Sequence, residues 1–154
     1  MATYAADYVA ERSQGLGGKL TMIERTIDFK QVADYRASAG LAALASSDVY
    51  EVLNITAKSL VLRVGYDVTV AEGATATVGI GDGSAATGYA TAVNLNSVGS
   101  GVSTLALTEG APNTITGYSN GKYYTADDTI DLTLNHSSID LAVVRVWALV
   151  MDCS

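Results

Sequence analysis

The chain has one cysteine, one proline, one histidine, one tryptophan and one phenylalanine in 154 residues. With Cys153 alone, no intrachain disulfide can form, so the fold must stand on packing and backbone pairing. With His136 alone, there is no zinc-ligand spacing, and no Ser/His/Asp set with a second orienting group is suggested. Charged residues make up only 16%, and basic ones are scarce: nine against sixteen acidic, a net charge of −7. Residues 78–154 hold two basic and seven acidic side chains, which argues against nucleic-acid binding there. A membrane-length apolar run is also missing. The longest, Leu141 to Met151, is interrupted by Arg145 and is too short to cross a bilayer as a helix. The first residues carry Asp7 and Glu11 and no apolar core, unlike a signal peptide, so the expectation is a soluble chain not exported by a cleaved signal.

What is present is strand text. Ile139 to Asp152 alternates Leu141, Val143, Arg145, Trp147, Leu149 and Met151 with Ala142, Val144, Val146, Ala148 and Val150. Both faces are apolar except at Arg145, the pattern of a strand covered on both sides. At 154 residues the chain is most simply one domain. Fifteen glycines, nine tyrosines and many Ser and Thr suggest turns and strands.

Residues 1–20 are polar, close on Gly15, Gly17 and Gly18, and read as an extended arm or tail; residues 21–154 read as one β-sandwich domain. Met22 to Lys30 alternates as a half-exposed strand, with Ile23, Arg25, Ile27 and Phe29 on one face. The Ala- and Ser-rich stretch 31–48 reads as a long loop, with room for a short helix at Leu41 to Ala45. Strands are expected at Val49 to Thr56, Leu60 to Val70, Thr75 to Gly81, Tyr89 to Leu95, Ser103 to Thr108, Lys122 to Thr125 and Thr129 to Leu134. Turn signals at Glu72-Gly73, Gly81-Asp82-Gly83, Gly99-Ser100-Gly101, Gly110 to Asn113 and Asn120-Gly121 separate them. That spacing is the signature of an all-β sandwich or barrel; the expectation is an antiparallel sandwich of about eight strands with an extended N-terminal arm. The expected core is Ile27, Leu62, Val64, Val68, Val78, Ile80, Leu105, Ile130, Leu132, Val144, Val146 and Trp147.

Candidate chemistry is thin. Gly79 to Gly83 lacks the lysine and the following helix of a phosphate loop and reads as a hairpin turn. Asp127, Asp128 and Asp131 do not match an EF-hand, and alternation puts Asp131 on a solvent face. No catalytic, cofactor or metal residue is assigned. Tyrosine suits interfaces, where a rigid ring with a wet tip is useful. Tyr4, Tyr8, Val9 and Leu16 in the arm, with Tyr118, Tyr123 and Tyr124, are the candidate partner-binding residues.

The stretches VYEVLNITAKSLVLRVGYDVTVAEGATATVGIGDGSAATGYATAVNL and GKYYTADDTIDLTL, followed by the terminal strand, cover Val49 to Asp152. This order of strands and turns resembles the small structural proteins that decorate the heads of tailed bacteriophages, often called cement proteins. The resemblance implies a jelly-roll-like sandwich that assembles as a homotrimer on the outside of the capsid, binds the major capsid protein and ties capsomers together. It implies no catalytic residues and no cofactor, and a chain made in the host cytoplasm and carried on the virion. Residues 1–48 lie outside it. A neck or tail-fibre component, or a carbohydrate-binding sandwich using Tyr118, Tyr123 and Tyr124 as a row of rings, are the alternatives.

Overall fold

The computed structural model describes residues 19–102, 121–136 and 139–154. Nine strands and one helix follow in order: β1 (Leu20–Asp28), α1 (Phe29–Ser38), β2 (Val49–Ile55), β3 (Ser59–Val70), β4 (Thr77–Asp82), β5 (Ala85–Asn94), β6 (Gly99–Val102), β7 (Lys122–Tyr124), β8 (Asp128–Leu134) and β9 (Val143–Asp152). One sheet runs β1-β9-β3, with β6 and β7 both paired to the far edge of β3; the other runs β2-β8-β4-β5. Every pairing is antiparallel. The chain changes sheet at each step except within the β4–β5 hairpin and from β6 to β7, which share one strand position on the edge of β3. That is an eight-position jelly roll. The arm residues Tyr4, Tyr8, Val9 and Leu16, the expected strand Ser103 to Thr108 with Leu105, and Tyr118 lie outside the described residues.

The core is the space between the two inner faces. Val144, Val146 and Ala148 of β9, and Ala142 just before it, are fully buried, facing Val78, Ile80, Ile130, Leu132 and Leu134 from the other sheet. The opposite face of β9, Val143 to Met151, is only half-buried apart from exposed Arg145. The expectation of cover on both faces is therefore corrected. Trp147 lies on this outer face and not in the core. β9 is long and apolar because it is a central strand whose outer side is left open.

Two bulges explain most other departures from simple alternation. Between Val61 and Arg63 the β3–β9 register slips by one residue, so Val61 (0% exposed) and Val64 (1%) both face the core. Leu62, expected inside, is the extra residue and is half-buried. Between Glu51 and Leu53 a second slip turns Val52 and Leu53 inward together.

The stretch read as a loop begins as a helix. Asp28 caps α1, its carboxylate accepting from the Gln31 N–H at 3.1 Å, and Lys30 pairs with Asp34 one turn on at 2.8 Å. Phe29 is fully buried at the first helical position, which anchors the helix over the end of the sandwich. Leu41 to Ala45 is not helical. The alternation of β1 runs on through Phe29, which hid the boundary at Asp28.

Glu72 binds the loops together at the same end, where the Phe29 N–H donates to the Ala142 carbonyl at 2.9 Å. Its backbone N–H donates to Leu95, and its buried carboxylate accepts from the N–H groups of Asp140 (3.0 Å), Leu141 (3.0 Å) and Ala142 (2.8 Å). Gly73, at φ +76°, supplies the left-handed turn that follows.

Candidate interaction surface

Cross-strand partners share a face of a sheet, so the registers define what the β1-β9-β3 sheet presents outward. Leu20 pairs with Met151, Met151 with Leu60, and Leu60 with Tyr123, giving one apolar row across four strands. Met22 and Leu149 form the next row, which ends on exposed Arg63; Glu24, Trp147, Gly65 and Val102 form a third. Leu20 (54% exposed), Met22 (58%), Tyr123 (49%) and Val102 (43%) are the most open apolar side chains of these. Gly65 is required here: a Cβ would collide with the Trp147 ring that lies flat across it. Farther along, Arg145 donates to Asp67 through Nε (2.9 Å) and Nη2 (2.7 Å) and to Glu24 through Nη1 (3.3 Å). The face thus divides into an apolar corner and a charged end whose Arg145 is held between two carboxylates.

The outer face of the second sheet is different in kind. Glu51, Thr129, Asp131 and Thr133 face outward, and Gly79 and Gly81 of β4 pair with Thr133 and Asp131. Opposite Gly81, β5 carries four residues between Ala85 and Ala90, and this arch crosses the glycines so closely that a Cβ at Gly81 would strike the Ala85 carbonyl. Asp131 is consequently buried, which corrects the expectation of a solvent-facing carboxylate. Its Oδ1 and the Thr133 hydroxyl have no hydrogen-bond partner. Burial, and then the nearby charges of Glu51, Asp128 and Asp82, push the Asp131 carboxyl above the usual aspartate range against the opposing hydrogen bond of Thr129.

A polar network joins the two sheets. Asp82 of β4 accepts from Lys122 (2.5 Å) and from the Tyr124 hydroxyl (2.7 Å) on β7, and its other oxygen accepts from the Ser84 and Ala85 N–H groups. Tyr89 shares a hydrogen bond with Tyr124 at 2.9 Å; because Tyr124 gives its proton to Asp82, Tyr89 is the donor. Burial alone would raise Asp82, but the hydrogen bonds from Lys122, Tyr124 and the two amides outweigh it and hold the carboxyl below its usual range. Burial, then the bonds with Tyr89 and Asp82, push Tyr124 far above the usual tyrosine range, so it stays protonated.

Of the tyrosines expected at an interface, Tyr123 is exposed on the apolar row, whereas Tyr124, one residue on, is 3% exposed and part of the core. Alternation along β7 separates them, so they do not form a row of surface rings. Asp127 accepts from the Ala57 N–H and Asp128 from the Thr129 N–H, which makes both part of the loop framework. Among the described residues no group of three His, Cys, Asp or Glu side chains is placed to hold a metal ion. The segment Gly79 to Gly83 is strand β4 and its hairpin, as its lack of a following helix suggested. No helix among the described residues is long and apolar enough to cross a membrane. What the sequence did not reveal is the asymmetry of the two outer faces, because the apolar corner is assembled from four strands distant along the chain.

No protein-family model matches the chain, and no curated protein matches it by sequence. Solved structures that share its fold include chains of three phage capsids. A chain in the acid-stable capsid structure of Helicobacter pylori bacteriophage KHP30 is 10% identical, with a TM-score of 0.55 over 88% of this chain and 89% of that one. A chain of the cyanophage Pam1 capsid asymmetric unit is 17% identical, with a TM-score of 0.54 over 98% and 91%. A chain of the Ralstonia phage GP4 capsid is 11% identical, with a TM-score of 0.57 over 88% and 86%. At these identities the likeness is one of fold.

Proposed function

We propose that this chain is a non-enzymatic virion structural protein that decorates the outside of a phage head, binds the assembled major capsid protein and stabilises the lattice. The observation that carries the proposal is the sharing of one jelly roll, over 86% or more of both chains, with proteins found in three phage capsids. The resemblance in strand and turn order, from Val49 to Asp152, supports the narrower role of decoration over shell-building. A ligand that binds only the assembled lattice raises the free energy needed to disrupt it. Self-association as a homotrimer strengthens this, because after one copy binds, the others act at high effective concentration. Residues 1–20, with Tyr4, Tyr8, Val9 and Leu16, serve as an arm that orders on the shell at some cost in binding free energy.

The test is sedimentation with shells lacking this protein, comparing the full chain with one starting at Lys19. Binding by the full chain, with heads that then resist heat better, is the expected result. If neither chain binds shells, decoration is wrong and a neck or fibre role takes its place. Equal binding by both leaves the capsid role and removes the arm. Saturable sugar binding lost in Tyr123→Ala would instead favour a carbohydrate-binding module.

A further inference from the structure

The apolar corner of the β1-β9-β3 sheet is where, we propose, copies of this chain bind one another. The proposal takes self-association from the preceding reading and assigns it a surface; it does not depend on capsid binding. The corner is built from outward positions of four adjacent strands, with Leu20, Met151, Leu60 and Tyr123 in one row and Met22 and Leu149 in the next. Leu20, Met22 and Tyr123 are about half exposed and Leu60, Leu149 and Met151 partly so; together they present on the order of 400–500 Å² of mostly apolar surface, within the range of the largest patch a monomer leaves open and approaching one side of a small specific interface.

Two further observations favour a second copy as the occupant. First, β1 is the open edge of the sheet, with no strand beyond it among the described residues. Its nine pairs to β9 run without a bulge, and Leu20 to Ile23 contain no charge, proline or glycine. Edges that must stay single are normally blunted by one of those devices. Second, the charge distribution permits it. The chain carries −7, yet none of the six corner side chains is acidic and Arg63, paired with Leu149, adds a positive charge there. The carboxylates of this face, Glu24 and Asp67, lie at its other end, both tied to Arg145, while Asp34, Asp48, Glu51, Asp127, Asp128 and Asp131 lie on α1, on the β2-β8 sheet or in the loops. Copies that would repel on most approaches meet here without setting carboxylate against carboxylate.

The experiment is light scattering of the full chain at high micromolar concentration. The wild type is expected at a multiple of 15.9 kDa. Met22→Lys combined with Leu149→Lys is expected to give 15.9 kDa with an unchanged far-ultraviolet spectrum. Val49→Lys, an equally exposed valine on the other sheet, should keep the wild-type mass. A monomeric wild type, or an undiminished mass in the double variant, overturns the assignment. Should the double variant misfold, Met22→Gln with Tyr123→Gln replaces it, and retention of the wild-type mass there is equally decisive against the corner. Shell binding is scored separately: an oligomer that ignores shells leaves this surface standing and sinks decoration. A variant that keeps its mass but loses shells assigns the corner to the capsid instead.

Discussion

Replacing Glu72 with alanine removes one acceptor from three backbone donors at once. The N–H groups of Asp140, Leu141 and Ala142 converge on its carboxylate within 3.0 Å, and the side chain is buried. A hydrogen bond to a charged group contributes roughly 1.5–3 kcal/mol net, and a buried donor left without a partner costs about as much. The three bonds share one carboxylate, and water reaches Asp140 and Leu141 more easily than Ala142, so the losses do not add in full. An overall cost of about 3–5 kcal/mol follows, or roughly 10 °C in melting temperature for a domain of this size. Glu72→Gln keeps one carbonyl oxygen, which can hold two of the donors, and should fall about halfway between. Urea unfolding followed by Trp147 fluorescence, at fixed protein concentration, measures both variants. If alanine costs less than about 1 kcal/mol, the carboxylate is not what anchors the entry to β9, and the hydrogen-bond argument fails.

Two buried aspartates should respond to pH in opposite ways. Asp131 titrates above the ordinary value when folded, so its contribution is intact below about pH 4 and is lost as pH rises; Asp131→Asn should melt higher than wild type at pH 7, with the gap closing in acid. Asp82 titrates below the ordinary value, so its contribution is present above that range and is lost as pH falls; Asp82→Asn, which removes the charge that Lys122 and Tyr124 bond to, should cost about 3 kcal/mol at pH 7 and little near pH 2 in urea titrations. Gly81→Ala sets a Cβ against the unyielding Ala85 backbone, whereas Gly65→Ala meets the Trp147 side chain; calorimetry should show Gly81→Ala as the more damaging, and Gly65→Ala should shift the tryptophan emission. Val64→Asp places a charge in the core and should prevent folding at 37 °C, while exposed Thr69→Asp should change the melting point by only a few degrees, as followed by circular dichroism.

The strands of the sandwich were legible in the sequence because alternation and turn spacing are local properties, whereas their jelly-roll order was implied by the resemblance alone. Thr129 to Leu134 and the inward set Val144 and Val146 could be read directly, and their burial follows from period two alone. What lay beyond that reading depends on events one residue wide or on pairings across the chain. The bulge at Leu62 reverses the facing of Val61 relative to Val64, and nothing in the composition there announces an extra residue. Helix α1 is Ala-rich and only weakly two-sided, so its one clear signal was the Asp28 cap, concealed inside a continuing alternation. Asp131 occupies an outward position, as read; it is buried because the β5 arch folds over Gly79 and Gly81, a contact that no local pattern encodes. Tyr124 differs from Tyr123 only in parity along a three-residue strand.

The place of β9 sets the order in which this molecule can be completed. It is the last of the nine strands to leave the ribosome, yet it lies between β1 and β3, pairing Leu20 with Met151 and Ser59 with Asp152. Until it arrives, β1 has no neighbour in its sheet among the described strands and one edge of β3 stays unpaired. Local hairpins such as β4–β5 can close during synthesis, but the sandwich cannot. Closing the sandwich is therefore limited by pairings such as Leu20 with Met151 that span most of the given sequence, which places it among the slower topologies. During that interval Leu20 to Ile23 and the β3 edge are available to other nascent copies, so the rate of synthesis and the local crowding of ribosomes become determinants of yield.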